Sequence, residues 1–119
     1  MSVQIVLDLT ADFNVEAISQ IDIGGFDYAV AQIVNPTNVV LFSNTNDSGA
    51  IQGVSDGSAV SATNFEDVQG VNLASGTAVT SIAASGLVRF QSVGQYLKFS
   101  STSSSTKVDK LLVRLYKIH

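Results

Sequence analysis

Apolar residues recur at every second position through most of this 119-residue chain, which is the period of a strand with one buried face. Val3, Ile5, Leu7 and Leu9 fall on one side of the first segment, with Gln4, Asp8 and Thr10 opposite. In the next, Val15, Ala17, Ile21 and Ile23 oppose Glu16, Gln20 and Asp22. A third sets Phe26, Tyr28, Val30 and Val34 against Asp27, Ala29, Ala31 and Ile33. Gly24-Gly25 separates the second from the third, and two glycines supply the positive φ of a tight turn, so these segments are expected to pair as a β-hairpin. The competing reading is a short helix over residues 15–21 capped by Asn14, because Val15, Ile18 and Ile21 also recur at helical spacing.

Turn signals punctuate the rest. Asn35-Pro36-Thr37-Asn38 reads as a turn, since proline fixes φ and Asx side chains bond nearby backbone; residues 39–42 then resume as a strand. A polar loop over 43–49 follows, and 50–54 forms a short strand. Residues 65–73 read as one strand with a bulge at Gly70, and 79–83 as another, ended by Ser85-Gly86. The last third reads as a meander: 87–93, a Gly94 turn, 96–99, a Ser-rich hairpin loop over 100–106, then 108–118. In that final segment Leu111, Val113 and Leu115 share one face, while Leu112, Tyr116 and Ile118 join Lys110 and Arg114 on the other. Such a strand needs cover on both sides, from a second layer or from a neighbouring subunit. Nine or ten short strands predict an all-β chain: an antiparallel β-sandwich, jelly-roll-like, in a single domain over residues 1–119.

Charge is distributed unevenly along this pattern. Every Lys and Arg lies in the last 31 residues, and nine of the ten acids precede Arg89. That polarity suits the pairing of unlike surfaces between neighbouring copies. Only 13% of residues are charged against a usual ~25%, so the polar surface is made of Ser, Thr, Asn and Gly, which permit large contact areas. The contact residues expected on these grounds are Arg89, Lys98, Lys110, Arg114 and Lys117 as cations, with Tyr116 as an anchor aromatic. A net charge of −4 argues against nucleic-acid binding, which needs clustered cations. Cysteine is absent, so disulfides and thiolate chemistry are not available. The segment MSVQIVLDL lacks a basic n-region and is interrupted by Asp8, unlike a secretory signal, and no apolar run reaches the 18 or more residues of a spanning helix.

Constellations for chemistry are thin. His119 is the single histidine and the last residue, which gives no rigidly held imidazole for a triad and no multi-His metal site. Glu66 and Asp67 are adjacent, so on a strand they point to opposite faces and do not form a glycosidase pair. Asp22 and Asp27 flank Gly24-Gly25 and read as solvated turn acids; a small hydrolase built on them is the least favoured alternative. Asn44, Asn46, Asp47 and Ser48 before Gly49 echo a calcium loop, but Ser55 stands where its bidentate Glu belongs, so an Asx-rich turn is preferred. The glycines do not match a phosphate-binding GxxxxGK pattern. No enzymatic activity, metal or cofactor is expected.

Two stretches carry a family resemblance. IGGFDYAVAQIVNPTNVVLFSNTNDSGAIQGVS at residues 23–55 resembles small β-sandwich modules of tailed-phage virion proteins, in which an apolar Val-x-Gln strand precedes a turn, a strand and an Asn/Ser-Asp-Gly-type loop. SGLVRFQSVGQYLKFSSTSSSTKVDKLLVRLYKIH at 85–119 is similar to their closing strands. The loop here reads Asn46-Asp47-Ser48-Gly49, without the aromatic that often follows it. What the resemblance implies is a virion component made in the host cytoplasm, most of all a capsid decoration or cement protein. It also implies a homo-oligomer, a trimer or ring, whose partners are copies of itself and capsid or other virion proteins. The alternative is a tail or fibre module that binds a receptor or carbohydrate.

Overall fold

A computed structural model describes residues 2–10, 20–47, 64–91, 95–103 and 105–118. Among them are eleven strands and no α-helix: β1 (Ser2–Asp8), β2 (Gln20–Asp22), β3 (Tyr28–Val34), β4 (Val40–Thr45), β5 (Glu66–Asp67), β6 (Gly70–Asn72), β7 (Ala78–Val79), β8 (Ser81–Ile82), β9 (Gly86–Gln91), β10 (Tyr96–Ser100) and β11 (Lys110–Ile118). They form two antiparallel sheets. The larger, sheet A, has the order β1-β11-β3-β9-β6-β7; sheet B has the order β2-β10-β4-β5, with β8 also pairing β4.

The first four strands pair in turn with the last four: β1 with β11, β2 with β10, β3 with β9 and β4 with β8. The chain is thus one long hairpin wound around itself, with its early and late strands stepping between the sheets together. The pairs β11–β3 and β10–β4 close the seam within each sheet. This is jelly-roll connectivity, and it produces the expected antiparallel sandwich.

Alternation explains why the sheets face each other. Ala29, Ala31 and Ile33 of β3, Val88 and Phe90 of β9, and Leu111, Val113 and Leu115 of β11 point inward from sheet A; Val40 and Phe42 of β4 and Leu97 and Phe99 of β10 meet them from sheet B. Phe42, Phe90 and Phe99 meet edge to face, with centroids 5.0 to 5.9 Å apart, an arrangement that aromatic quadrupoles favour. The alanines of β3 are part of this fit. Ala29 lies beside Phe90 and Ala31 beside Val88 in register, and two small side chains leave room for the phenyl rings. The sequence pattern alone puts the larger Tyr28, Val30 and Val34 on the buried side of β3. That assignment is inverted: burial goes to Ala29, Ala31 and Ile33 because the ring cluster already fills the space.

Local pairing also departs from the sequence reading. β2 and β3 do not form a hairpin, for they lie in different sheets. The Ile23 N–H donates to the Gln95 carbonyl at 2.8 Å on the sheet B side, whereas the Asp27 N–H donates to the Tyr116 carbonyl at 2.7 Å on the sheet A side. Gly24-Gly25 makes the crossing between them, with Gly25 at φ 87°, a left-handed conformation open to glycine. The C-terminal meander is likewise replaced by steps between sheets: β9 in A, β10 in B, β11 in A. The Ser-rich run is therefore a crossover and not a hairpin loop. It is held by Ser101, whose hydroxyl donates to the Val39 carbonyl at 2.7 Å and shares a 2.8 Å hydrogen bond with the buried Thr106 hydroxyl.

Residues 65–73 and 79–83 each divide into two strands in different sheets, β5 with β6 and β7 with β8, which takes the strand count above ten. Gly70 is not at a bulge. It begins β6 where the chain passes close over β9: a Cβ there would run into the Val88 side chain and lie 2.8 Å from Phe90 Cε1. Residues 43–45, read as loop, continue β4. The proposed strand at 50–54, the Gly94 turn, residues 15–19 of the helix alternative, Ser48, Gly49 and His119 lie outside the described residues.

Candidate functional site

A sheet face that meets water normally carries polar side chains. The outer face of sheet A sets large apolar side chains among its polar ones. Its central row runs Val6, Arg114, Val30, Arg89, Val71 across five strands in register. A second row runs Asp8, Leu112, Gln32, Leu87, and Leu73 extends it by donating its N–H to the Leu87 carbonyl at 2.9 Å. A third brings Tyr116 beside Tyr28, with rings stacked at 4.5 Å and 9°. Between the rows lies a groove of about 330 Å³ bordered by Val6, Leu73, Leu87, Leu112 and Tyr116, and a shallower depression continues it past Ala74 and Ser85.

Three large apolar side chains on this face are well exposed, Val6 at 51%, Leu73 at 43% and Leu87 at 41%. They are contiguous through the half-buried Val30 and Leu112, which makes a patch and not scattered single residues. Within the patch stand Arg114, exposed, and Arg89, half-buried, one on each side of Val30. The Nε of Arg89 is enclosed with no hydrogen-bond acceptor among the described residues, which costs free energy. At the margin, Asp8 is held below its ordinary value of 3.8 by the Thr10 hydroxyl and N–H and by the charge of Lys110.

The six expected contact residues do not share one surface. Arg89, Lys110, Arg114 and Tyr116 lie together on the outer face of sheet A. Lys98 is on the outer face of sheet B, with its ammonium 5.1 Å from the centre of the Phe65 ring. Lys117 projects on the opposite side of β11 from Arg114, by the alternation of the strand. The apolar members Val6, Val30, Leu73 and Leu87 were not among the expected contacts. The signal for them was the doubly apolar β11, whose outer-face neighbours in adjacent strands only the register identifies.

The winding of the chain also turns its lengthwise charge split into a split between sheets. The strands of sheet A hold Arg89, Lys110, Arg114 and Lys117 against one acid, Asp8; those of sheet B hold Asp22, Glu66 and Asp67 against one cation, Lys98. Asp22 is engaged at the corner, where it accepts from the Gly24 N–H at 2.8 Å and from Gln95. Asp47, from the calcium-like loop, accepts from Asn64 at 2.7 Å, and the Asn46 side chain accepts from the Gln95 N–H at 2.9 Å. Among the described residues no three His, Cys, Asp or Glu side chains gather as a metal site would require, and no helix is long and apolar enough to cross a membrane.

Fold and face together define the class: an antiparallel jelly-roll sandwich with one apolar, arginine-bearing outer surface. A solved structure, that of the SPBc2 prophage-derived protein YomS, has the same fold, with a TM-score of 0.67 over 98% of this chain and 96% of that one at 10% identity. At that identity the likeness is one of fold. No protein-family model matches the chain, and no curated protein matches it in sequence.

Proposed function

We propose that this chain is a structural protein of a tailed-phage virion, a decoration or cement protein that fastens to the capsid and catalyses nothing. The observation that carries the reading is the outer face of sheet A, an apolar groove set with arginines on the side of a sheet that would otherwise face water. The middle of that face has the composition of an interface centre, rich in apolar and Arg side chains, with Lys110 and Asp8 at its margin. The full-length likeness in fold to a prophage-derived protein supports the phage assignment. Mechanistically, a module that binds the assembled shell and not its separate subunits stabilises the shell by linkage, in proportion to the logarithm of its concentration over its dissociation constant.

The test is cosedimentation of the purified chain with expanded capsids of its phage. Uptake by the wild type and its loss in Val6→Asp/Leu87→Asp is the expected result. A folded chain that stays in the supernatant with capsids, and with tails, would sink the virion role. The stacked Tyr28 and Tyr116 favour one second reading, a tail or fibre module that docks a sugar ring on an aromatic surface. Glycan-array binding lost in Tyr116→Ala would select it.

A further inference from the structure

We propose that the outer face of sheet A receives the β5 edge of a second copy of this chain, in a head-to-tail contact that repeats around a closed ring. The inference rests on the assembly reading above and names the partner of that face. Three observations converge on it.

The face is cationic as well as apolar, so packing it against the same face of another copy would bring like charges together; electrostatics disfavours the two-fold dimer. The occupant must carry acids. Among the described residues, two adjacent exposed acids stand at β5, an edge strand of sheet B paired on one side with β4 through Ser43↔Asp67 and Asn44↔Glu66. Glu66 and Asp67 are both exposed, and among the described residues neither carboxylate has a hydrogen-bond or ion-pair partner.

Geometry matches as well as charge. Arg114 and Arg89 flank Val30 two strands apart, roughly 10 Å by strand spacing. Adjacent residues of a strand point to opposite sides, so β5 presented edge-on offers one acid to either side of its backbone, as the guanidiniums stand to either side of Val30. Phe65, half-buried beside β5 with the Lys98 ammonium 5.1 Å from its ring centre, would add an apolar group to that contact. Because the two surfaces differ, the contact is heterologous. An edge packed on a face turns each copy relative to the last, and rings of three or a few copies are the closed outcome.

Charge exchange tests this on the full chain, with mass in solution measured by light scattering. The wild type is expected to associate, less so at 1 M salt than at 0.1 M as screening shortens from about 10 to 3 Å. Arg89→Glu/Arg114→Glu and Glu66→Arg/Asp67→Arg are each expected to be monomeric, and an equimolar mixture of the two to associate, since each reversed surface then meets its complement. Glu66, Asp67 and Arg114 are exposed, so the β5 double variant and Arg114→Glu alone remain informative if Arg89→Glu impairs folding; circular dichroism reports that. Association of either double variant at wild-type strength overturns the inference, as does a wild type that stays monomeric at several hundred micromolar. A wild type that is monomeric yet taken up by capsids overturns the inference while the virion role stands. The exchange pattern without capsid uptake supports the inference and removes the role.

Discussion

Phe90 sits where both sheets converge, touching Phe42 and Phe99 edge to face from the opposite layer. Truncating it removes packing that the surrounding strands cannot collapse to refill, so Phe90→Ala is expected to cost about 3–5 kcal/mol, read as a lower midpoint in urea unfolding. Gly70 makes the reverse case. Its missing Cβ is occupied by Val88 and Phe90, and Gly70→Ala is expected to cost about 1–3 kcal/mol as overpacking. Asp8 gives a pH signature. Its carboxylate is held below the ordinary 3.8, so the ionised form stabilises the folded chain above that pH, and the contribution disappears as pH falls through the lowered value. The melting temperature of Asp8→Asn should therefore lie below that of the wild type at pH 6, with the gap closing below about pH 4.

At the level of elements, the informative parts are the crossovers. Where the chain leaves sheet B after β10, Ser101 and Thr106 satisfy one another's hydroxyls in a buried setting while Ser101 also donates to Val39. Ser101→Ala leaves Thr106 and the Val39 carbonyl short of partners, and a loss of about 1–3 kcal/mol is expected, measured by chemical unfolding. These crossovers also explain what the sequence could and could not reveal. Period-two patterning reports which residues share a face; it correctly groups Leu111, Val113 and Leu115, and Ile21 with Ile23. It is silent on which strand lies alongside which. Gly24-Gly25 therefore resembled a hairpin although it bridges two sheets, because glycine reports a backbone angle and not a destination. For β3, size misled: Tyr28 and Val30 are more apolar in bulk than Ala29 and Ala31, yet the buried face is selected by what the opposing rings leave free. The cations of the candidate face were legible one by one as an excess on late strands. Their convergence with Val6 and Leu73, from distant parts of the chain, depends on register.

For the molecule as a whole, the wound hairpin ties early strands to late ones, and β11 is central to sheet A, between β1 and β3. Little of this can form before the last strands are available, so folding is dominated by distant pairings and should take milliseconds to seconds, not microseconds; stopped-flow refolding measures it. Deleting residues 110–118 should leave no cooperative unfolding transition, since β1 and β3 lose their shared neighbour and the core loses Leu111, Val113 and Leu115 together.

The same winding sets Ser2 directly across from Ile118, which brings these two residues within one strand spacing of each other. A short tether joining them would let the polypeptide be reopened at the exposed turn around Gly76, giving a circular permutant with the sandwich intact. Guest peptides joined beside Ser2 and Ile118 would, for the same reason, be displayed side by side at a single corner.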